Sequence, residues 1–94
     1  SLPVLPGALE AAAGFLTTAA AMRNRDHLEG RIELGAASAP LAELIFDPQT
    51  SGGLLISLPA SEAEKLLAEL QTSEPSARII GQITERETCP VVVL

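Results

Sequence analysis

Residues 47–58 carry the clearest local signals in this sequence, because a polar segment with two adjacent glycines leads into an apolar run. The stretch reads Asp47-Pro48-Gln49-Thr50-Ser51-Gly52-Gly53-Leu54-Leu55-Ile56-Ser57-Leu58. Asp47-Pro48 predicts the end of a helix, because proline disfavours helical geometry at the residue before it and has no N–H to continue the turn. The run 54–58 has the length and pattern of a central strand covered on both faces. We therefore expect a helix, a loop over 49–53 and a buried strand, in that order.

The residues before this stretch predict two helices and a short strand. Apolar residues recur at helical spacing over residues 9–23, which predicts one helix there even though Gly14 inside it costs about 1 kcal/mol relative to alanine. Residues 31–34 can form a short strand. Pro40 is favoured in the first turn of a helix, so a short helix is predicted over residues 41–46.

The residues after the apolar run predict one more helix and two more strands. Ser61 and Glu64 have the S-x-x-E spacing of a capping box, in which the two side chains bond backbone N–H groups that otherwise lack a partner. The predicted buried stripe of this helix is Ala63, Leu66, Leu67 and Leu70. Residues 78–84 contain three isoleucines and predict a strand, and residues 91–94, after Pro90, suit a strand at a sheet edge.

The order of these elements indicates the fold class. Helix, helix, strand, helix, strand and strand favour an α+β fold, with helices packed on one face of a mostly antiparallel sheet. The length of 94 residues fits a single domain spanning 1–94. The chain starts at Ser1 without an initiator Met or a signal-peptide pattern, so we expect a piece cut from a longer protein.

Composition and charge argue against several function classes. The net charge of -6 disfavours binding to a phosphate backbone, so nucleic acid is not an expected partner. No apolar run approaches the roughly 20 residues that a membrane-spanning helix requires, so we expect no membrane partner. A single cysteine, Cys89, excludes an internal disulfide and suits a reducing cytoplasm.

The segment 49–53 is the best candidate for a binding loop. Two adjacent glycines let the backbone turn its N–H groups into a concave nest, and Gln49, Thr50 and Ser51 add hydrogen-bonding side chains. Such a loop can hold an oxyanion. The alternative is purely structural: Asp47-Pro48 ends a helix, and Ser-Gly-Gly makes a turn. The loop leads into a strand rather than a helix, so it lacks the helix dipole that assists most phosphate loops.

The same residues resemble a known enzyme family. Residues 44–56 closely resemble the L-x-F-D-P-Q-T-S-G-G-L-L-I signature of selenophosphate synthetases, also called selenide, water dikinases. Residues 2–8 are similar to the family's L-P-x-L-P-G-A entry, and residues 79–83 to its closing I-I-G-x-V strand. The resemblance implies the C-terminal domain fold of aminoimidazole ribonucleotide synthetase-like enzymes. The D-P-Q-T-S-G-G run favours the selenium enzyme over other ATP enzymes of that superfamily.

The resemblance implies an activity to which this segment contributes only a part. The whole enzyme makes selenophosphate, AMP and phosphate from selenide, ATP and water with magnesium, as a cytoplasmic homodimer. Its catalytic and metal-binding residues lie in an upstream ATP-binding domain, so no catalytic residue or metal ligand is expected here and the segment alone is expected to be inactive. The candidates for the phosphate loop are Gln49, Thr50, Ser51, Gly52 and Gly53, with Asp47 and Asn24 as further candidates. The alternatives are a stand-alone ligand-binding or regulatory domain, or the C-terminal domain of another ATP enzyme of the superfamily.

Asn24, His27 and Cys89 lie outside the loop, and each has an interpretation that involves no ligand. Arg23-Asn24 is similar to an R-N pair of the family, but Thr17-Thr18-Ala19 stands where some members have a P-G-G turn. Asn24 is also a common helix-ending residue. His27 lies among charged residues and is interpreted as part of a solvated loop, and Cys89 is interpreted as a bystander.

Overall fold

The computed structural model describes residues 2–86 and 88–94, and these form two compact units. The three-helix unit comprises Leu5–Thr50 with the described part of Thr84–Leu94. The single-helix unit comprises Ser51–Ile83 with the described part of Ser1–Val4. Each unit has its own secondary structure and its own pattern of burial.

The three-helix unit begins with two short helices, α1 (Ala8–Ala13) and α2 (Ala19–His27). The prediction of one helix over residues 9–23 is therefore wrong. The chain leaves helical geometry after Gly14, and Phe15 takes a positive φ of 62°, which no α-helix accommodates. Thr18 then starts α2 as an N-cap, because its side chain accepts a hydrogen bond from the backbone N–H of Ala21 at 3.0 Å.

The third helix, α3 (Ala39–Phe46), confirms the short helix predicted before Asp47-Pro48. It begins two residues earlier than predicted, because the side chain of Ser38 caps it by accepting from the N–H of Leu41 at 3.4 Å. Asp47 ends the helix with an extended backbone at φ −67° and ψ 130°, as expected before proline. Both α1 and α2 pack against α3. The buried residues at this packing are Ala12, Ala21, Ala42 and Phe46.

A two-stranded sheet completes the three-helix unit. Strand β1 (Ile32–Glu33) pairs with β2 (Val91–Val92) in a parallel arrangement, and the N–H of Val93 donates to the carbonyl of Glu33 at 2.8 Å. The strands predicted over 31–34 and 91–94 are thus present but short. Gly35 follows with a φ of 51°, and a Cβ built on it would lie 2.3 Å from the carbonyl oxygen of Val93. Only glycine fits that position without a backbone shift.

The sheet corrects one part of the predicted architecture. The combination of helices and strands is α+β, as expected, but the pairing that the described residues show is parallel rather than mostly antiparallel. The predicted central strand at 54–58 and the predicted strand at 78–84 form no regular strand in the described part of the chain. Without a neighbouring strand, their backbone N–H and C=O groups have no ladder to join.

The single-helix unit is built around α4 (Ala60–Leu70). The predicted helix is confirmed, but the predicted capping box is wrong, because the N-cap residue is Pro59 and no side chain caps the helix. The predicted stripe is the less exposed face of the helix, although its members are half-buried rather than buried. The residues of this face are Ala63, Leu66, Leu67 and Leu70. The adjoining run 54–58 is largely exposed, with Leu54 at 92% and Leu55 at 83%.

Candidate functional site

Asp47, just before the candidate loop 49–53, is held by the side chain of Thr18, the N-cap of α2. The hydroxyl of Thr18 donates to Asp47 Oδ1 at 2.9 Å, and Thr18 Oγ1 also accepts from the N–H of Ala21 at 3.0 Å. A hydroxyl can donate once and accept at the same time, so both bonds are compatible. One side chain thus caps α2 and fixes the residue that follows α3.

Asn24 makes a second connection to the same end of α3. Its side-chain N–H donates to the carbonyl oxygen of Phe46 at 2.8 Å, in a partly buried position. The last carbonyls of a helix have no partner within the helix, so this bond satisfies a group that would otherwise need water or another donor. The interpretation of Asn24 as a helix-ending residue is wrong, because α2 continues to His27. Its side chain instead ties α2 to α3.

Arg25 adds a third contact between these helices, one turn away from Asp47. Its guanidinium forms an ion pair with Glu43 and lies 5.3 Å from the centre of the Phe46 ring. The side chain of Arg25 is 45% exposed, so the ion pair is screened by water and contributes little to stability. The contact with the ring adds a cation–π attraction to the packing at Phe46.

A shallow depression of about 160 Å³ lies beside this network, within the three-helix unit. The residues that line it are Asn24, His27, Leu28, Ile45, Phe46 and Asp47. His27 is exposed, as predicted, but it is the last residue of α2 rather than part of a loop. The depression therefore combines an apolar floor with the polar side chains that surround the end of α3.

The candidate loop continues from Asp47 without further fixed contacts in the described part of the chain. Pro48, Gln49 and Thr50 are exposed and end the first part of the three-helix unit. Ser51, Gly52 and Gly53 are also exposed and begin the single-helix unit. Thr50 and Ser51 are therefore accessible to a ligand.

Neither packing nor backbone conformation explains the glycine at position 53, where the sequence predicts a backbone nest. A Cβ built on Gly53 would meet no atom within 4 Å, and its φ is not in the left-handed region. Glycine at this position is therefore not required by local packing or by backbone conformation.

Metal ligands do not gather in the described part of the chain. Residues 2–86 and 88–94 contain no group of three or more His, Cys, Asp or Glu side chains that could hold a metal ion. Asp47 is engaged with Thr18, and Cys89 Sγ donates to the carbonyl oxygen of Val91 at 3.2 Å. Among the same residues, no helix has both the length and the apolar character needed to cross a bilayer.

The fold and the sequence identify the family of the chain. The family described as AIR synthase related protein, C-terminal domain, matches residues 11–93. This match covers most of the chain, which therefore belongs to that family. It agrees with the α+β class observed in the structure and with the superfamily expected from the sequence.

Curated relatives narrow this assignment. The chain is 44% identical to a selenide, water dikinase of Desulfitobacterium hafniense (strain Y51), 43% identical to one of Agathobacter rectalis and 38% identical to one of Clostridium botulinum (strain Eklund 17B / Type B). Each alignment covers 99% of this chain but only 27 to 28% of the relative. The predicted resemblance to selenide, water dikinases is thus confirmed, and the chain spans about a quarter of the length of these relatives. No solved structure gives a significant match.

Sequence reasoning missed Thr18 as a residue of this site. The resemblance to the family marks Thr18 only as a departure from the P-G-G turn of some members. A signal was present, because a threonine directly before an alanine-rich helical run is a typical N-cap. That signal predicts the bond to Ala21, but the bond to Asp47 joins residues 29 positions apart and follows only from the packing of α2 on α3.

Proposed function

We propose that this chain is the C-terminal part of an ATP-dependent selenide, water dikinase. The reaction of the whole enzyme converts selenide, ATP and water into selenophosphate, AMP and phosphate. The observation that carries this proposal is the alignment of 99% of the chain, at 44% identity, with a protein of that name. The D-P-Q-T-S-G-G stretch lies within the aligned part, and it is the stretch most specific to the selenium enzyme in the sequence.

We assign the segment from Gln49 to Gly53 to the handling of phosphate groups. Phosphoryl transfer depends on hydrogen-bond donors and cations placed around developing negative charge. The hydroxyls of Thr50 and Ser51 and the backbone N–H groups of the glycines are donors of this kind, and these residues are exposed. Asp47 and Asn24 belong to the supporting structure, since their side chains bond Thr18 and Phe46.

Magnesium and the reacting groups are assigned to the remainder of the longer enzyme. Magnesium prefers several oxygen ligands in octahedral geometry, and the described residues of this chain bring no such set together. Asp47 by itself therefore does not fit a magnesium site. No nucleophile is assigned to this chain either, because Cys89 is bonded to Val91 in a different part of the three-helix unit.

The partners of the segment follow from the same proposal. Residues 1–94 form part of one C-terminal domain, and the partner is the upstream ATP-binding domain of the same polypeptide, in a cytoplasmic homodimer. The relatives are nearly four times as long as the part that aligns, which leaves room for such a domain. The exposed apolar side chains at 54–56 also support a partner that covers them, because an apolar run without a cover is costly in water.

A chimeric enzyme tests the proposal. Residues 1–94 replace the aligned residues of the Desulfitobacterium hafniense relative, and selenide-dependent AMP formation is measured beside the isolated chain. We expect the chimera to be active and the isolated chain to be inactive. An inactive but folded chimera would contradict the proposed function, and AMP formation by the isolated chain would contradict the assignment of catalysis to the remainder.

The loop assignment needs its own variants in the same chimera. We expect Thr50→Val combined with Ser51→Ala to lower kcat/KM for ATP at least about tenfold, equivalent to about 1.4 kcal/mol. The matched control is Ser57→Ala, which removes an exposed hydroxyl a few residues further along. If the double variant and the control both retain the activity of the parent, the segment is only a structural turn.

A further inference from the structure

The two bonds that α2 makes to the end of α3 fall on consecutive residues. The side-chain N–H of Asn24 donates to the carbonyl oxygen of Phe46 at 2.8 Å, and the hydroxyl of Thr18 donates to the carboxylate of Asp47 at 2.9 Å. Both donors belong to the same helix or its cap. The bond from Asn24 therefore fixes the position of the last residue of α3, Phe46. The bond from Thr18 fixes the orientation of Asp47, the residue that follows.

Pro48 carries this orientation into the candidate loop. Its ring locks φ near −65°, which removes one of the backbone rotations between Asp47 and Gln49. Asp47 is half-buried, while Pro48 and the residues up to Gly53 are exposed. The bond from Thr18 is thus the last fixed side-chain contact before the exposed segment, within the described residues of the three-helix unit.

An N-cap alone does not explain the arrangement at Thr18. Capping α2 requires only an acceptor for the N–H of Ala21, and serine, aspartate or asparagine supplies one as well as threonine. The hydroxyl proton is not needed for the cap, and it is directed at Asp47 Oδ1. A hydrogen bond to a carboxylate is stronger than one between neutral groups. The donor function of Thr18 is therefore separate from its capping function.

We propose that Thr18 is a positioning residue for the phosphate loop and acts through Asp47, with Asn24 as the second fixed point. The inference rests on the proposed function, because it concerns the binding of ATP by the segment from Gln49 to Gly53. In this arrangement Thr18 and Asn24 contact no substrate. They set the starting point of the loop, so that the hydroxyl of Thr50 reaches the phosphate groups without first being ordered by the ligand.

Two variants at one position separate capping from positioning. Thr18→Asp and Thr18→Asn both keep a strong N-cap acceptor for α2. Asparagine also keeps an N–H that can donate to Asp47, whereas aspartate has no donor and places a second carboxylate opposite the first. Thr18→Ser keeps the hydroxyl and serves as the conservative replacement. The variants are made in the chimeric enzyme, with kcat and KM for ATP, thermal melting and deuterium uptake of the peptide over residues 47–50 as readouts.

We expect Thr18→Asp to raise KM for ATP about tenfold with a smaller change in kcat, and to increase deuterium uptake over residues 47–50. Thr18→Asn and Thr18→Ser should retain KM within about twofold of the parent. Thr18→Asn and Thr18→Ser should melt close to the parent, because each keeps the cap of α2 and a donor for Asp47. Thr18→Asp keeps the cap but faces Asp47 with a second carboxylate, so it should melt somewhat lower, and KM is therefore compared well below the melting temperature. The control is Arg25→Met, which breaks the ion pair with Glu43 between the same two helices without touching Asp47. It should leave KM unchanged.

Three results would overturn the inference, and they differ from one another. If Thr18→Asp binds ATP as well as Thr18→Asn, the bond to Asp47 has no positioning role. If Thr18→Asp and Arg25→Met raise KM equally, the effect belongs to general packing between α2 and α3. If the chimera with the natural Thr18 has no activity, the proposed function itself fails and this inference fails with it.

Discussion

The three-helix unit and the single-helix unit both contain many apolar residues, but they bury them to different extents. In the three-helix unit, α1 and α2 converge on α3, and Phe46 is only 3% exposed. In the described part of the single-helix unit, even the apolar face of α4 is only half-buried. The run at 54–56 and the isoleucines at 79–83 are exposed.

The difference shows that apolar composition does not create a core without elements that can face each other. Small buried alanines in α1, α2 and α3 let α1 and α2 approach α3 closely, and Phe46 adds one large buried ring. The single-helix unit has larger aliphatic side chains but one helix and no paired strand in its described residues. Its apolar side chains therefore lack a second layer, which every stable arrangement of helices or sheets requires.

The largest expected effect is that of Phe46→Ala. The substitution removes the one large side chain among the buried residues of the described three-helix unit and leaves a cavity, so it should destabilise the unit by about 3–5 kcal/mol. Chemical denaturation of the chain, followed by circular dichroism, measures the change. A loss below about 1 kcal/mol would show that the alanine contacts, rather than the ring, hold the helices together.

Leu66→Ala tests the other side of the comparison with a smaller expected effect. Full burial of Leu66 would predict a loss of about 2–5 kcal/mol, but its half-buried position reduces the expectation to about 1 kcal/mol. The same denaturation experiment applies. A loss as large as that of Phe46→Ala would mean that α4 is more deeply buried in solution, and the contrast between the units would no longer hold.

Local patterns predicted the elements that depend on nearby residues. The stripe of α4 follows from i, i+3, i+4 and i+7 spacing, and the end of α3 follows from Asp47-Pro48. The division of the first predicted helix did not follow, because the apolar spacing of Ala12, Leu16 and Ala20 continues across the break and masks the N-cap at Thr18. The strand at 54–58 was wrong because a strand depends on a partner, which a local pattern does not provide.

The candidate site shows the same limit. The sequence indicated the segment 49–53, and it resembled the correct family, as the relatives confirm. It did not indicate that Asn24 bonds Phe46 or that Thr18 bonds Asp47, since these pairs are 22 and 29 positions apart. Such contacts depend on how α2 packs against α3. The role of the loop residues stays a prediction.

The smallest expected effect concerns a polar contact in the single-helix unit, in the turn after α4. The hydroxyl of Ser76 donates to the carboxylate of Glu74, and the backbone N–H of Ser76 does so at 3.4 Å. These two bonds, the hydroxyl first, hold the pKa of Glu74 below its ordinary value of 4.5. Because the pKa is lowered in the folded state, the bonds favour folding above the ordinary pKa, and this contribution is lost as the pH falls through the lowered value.

Ser76→Ala should therefore raise the pKa of Glu74 toward its ordinary value, because the stronger of the two bonds is removed while the backbone bond remains. Titration of the Glu74 carboxyl carbon by NMR measures the shift directly. The matched control is Ser73→Ala, since the hydroxyl of Ser73 donates to the carbonyl of Leu70 at 3.3 Å and not to a carboxylate. It should leave the titration of Glu74 unchanged. If Ser76→Ala also leaves the titration of Glu74 unchanged, the turn after α4 is not ordered in solution. The single-helix unit would then be even less structured than its exposed apolar side chains indicate.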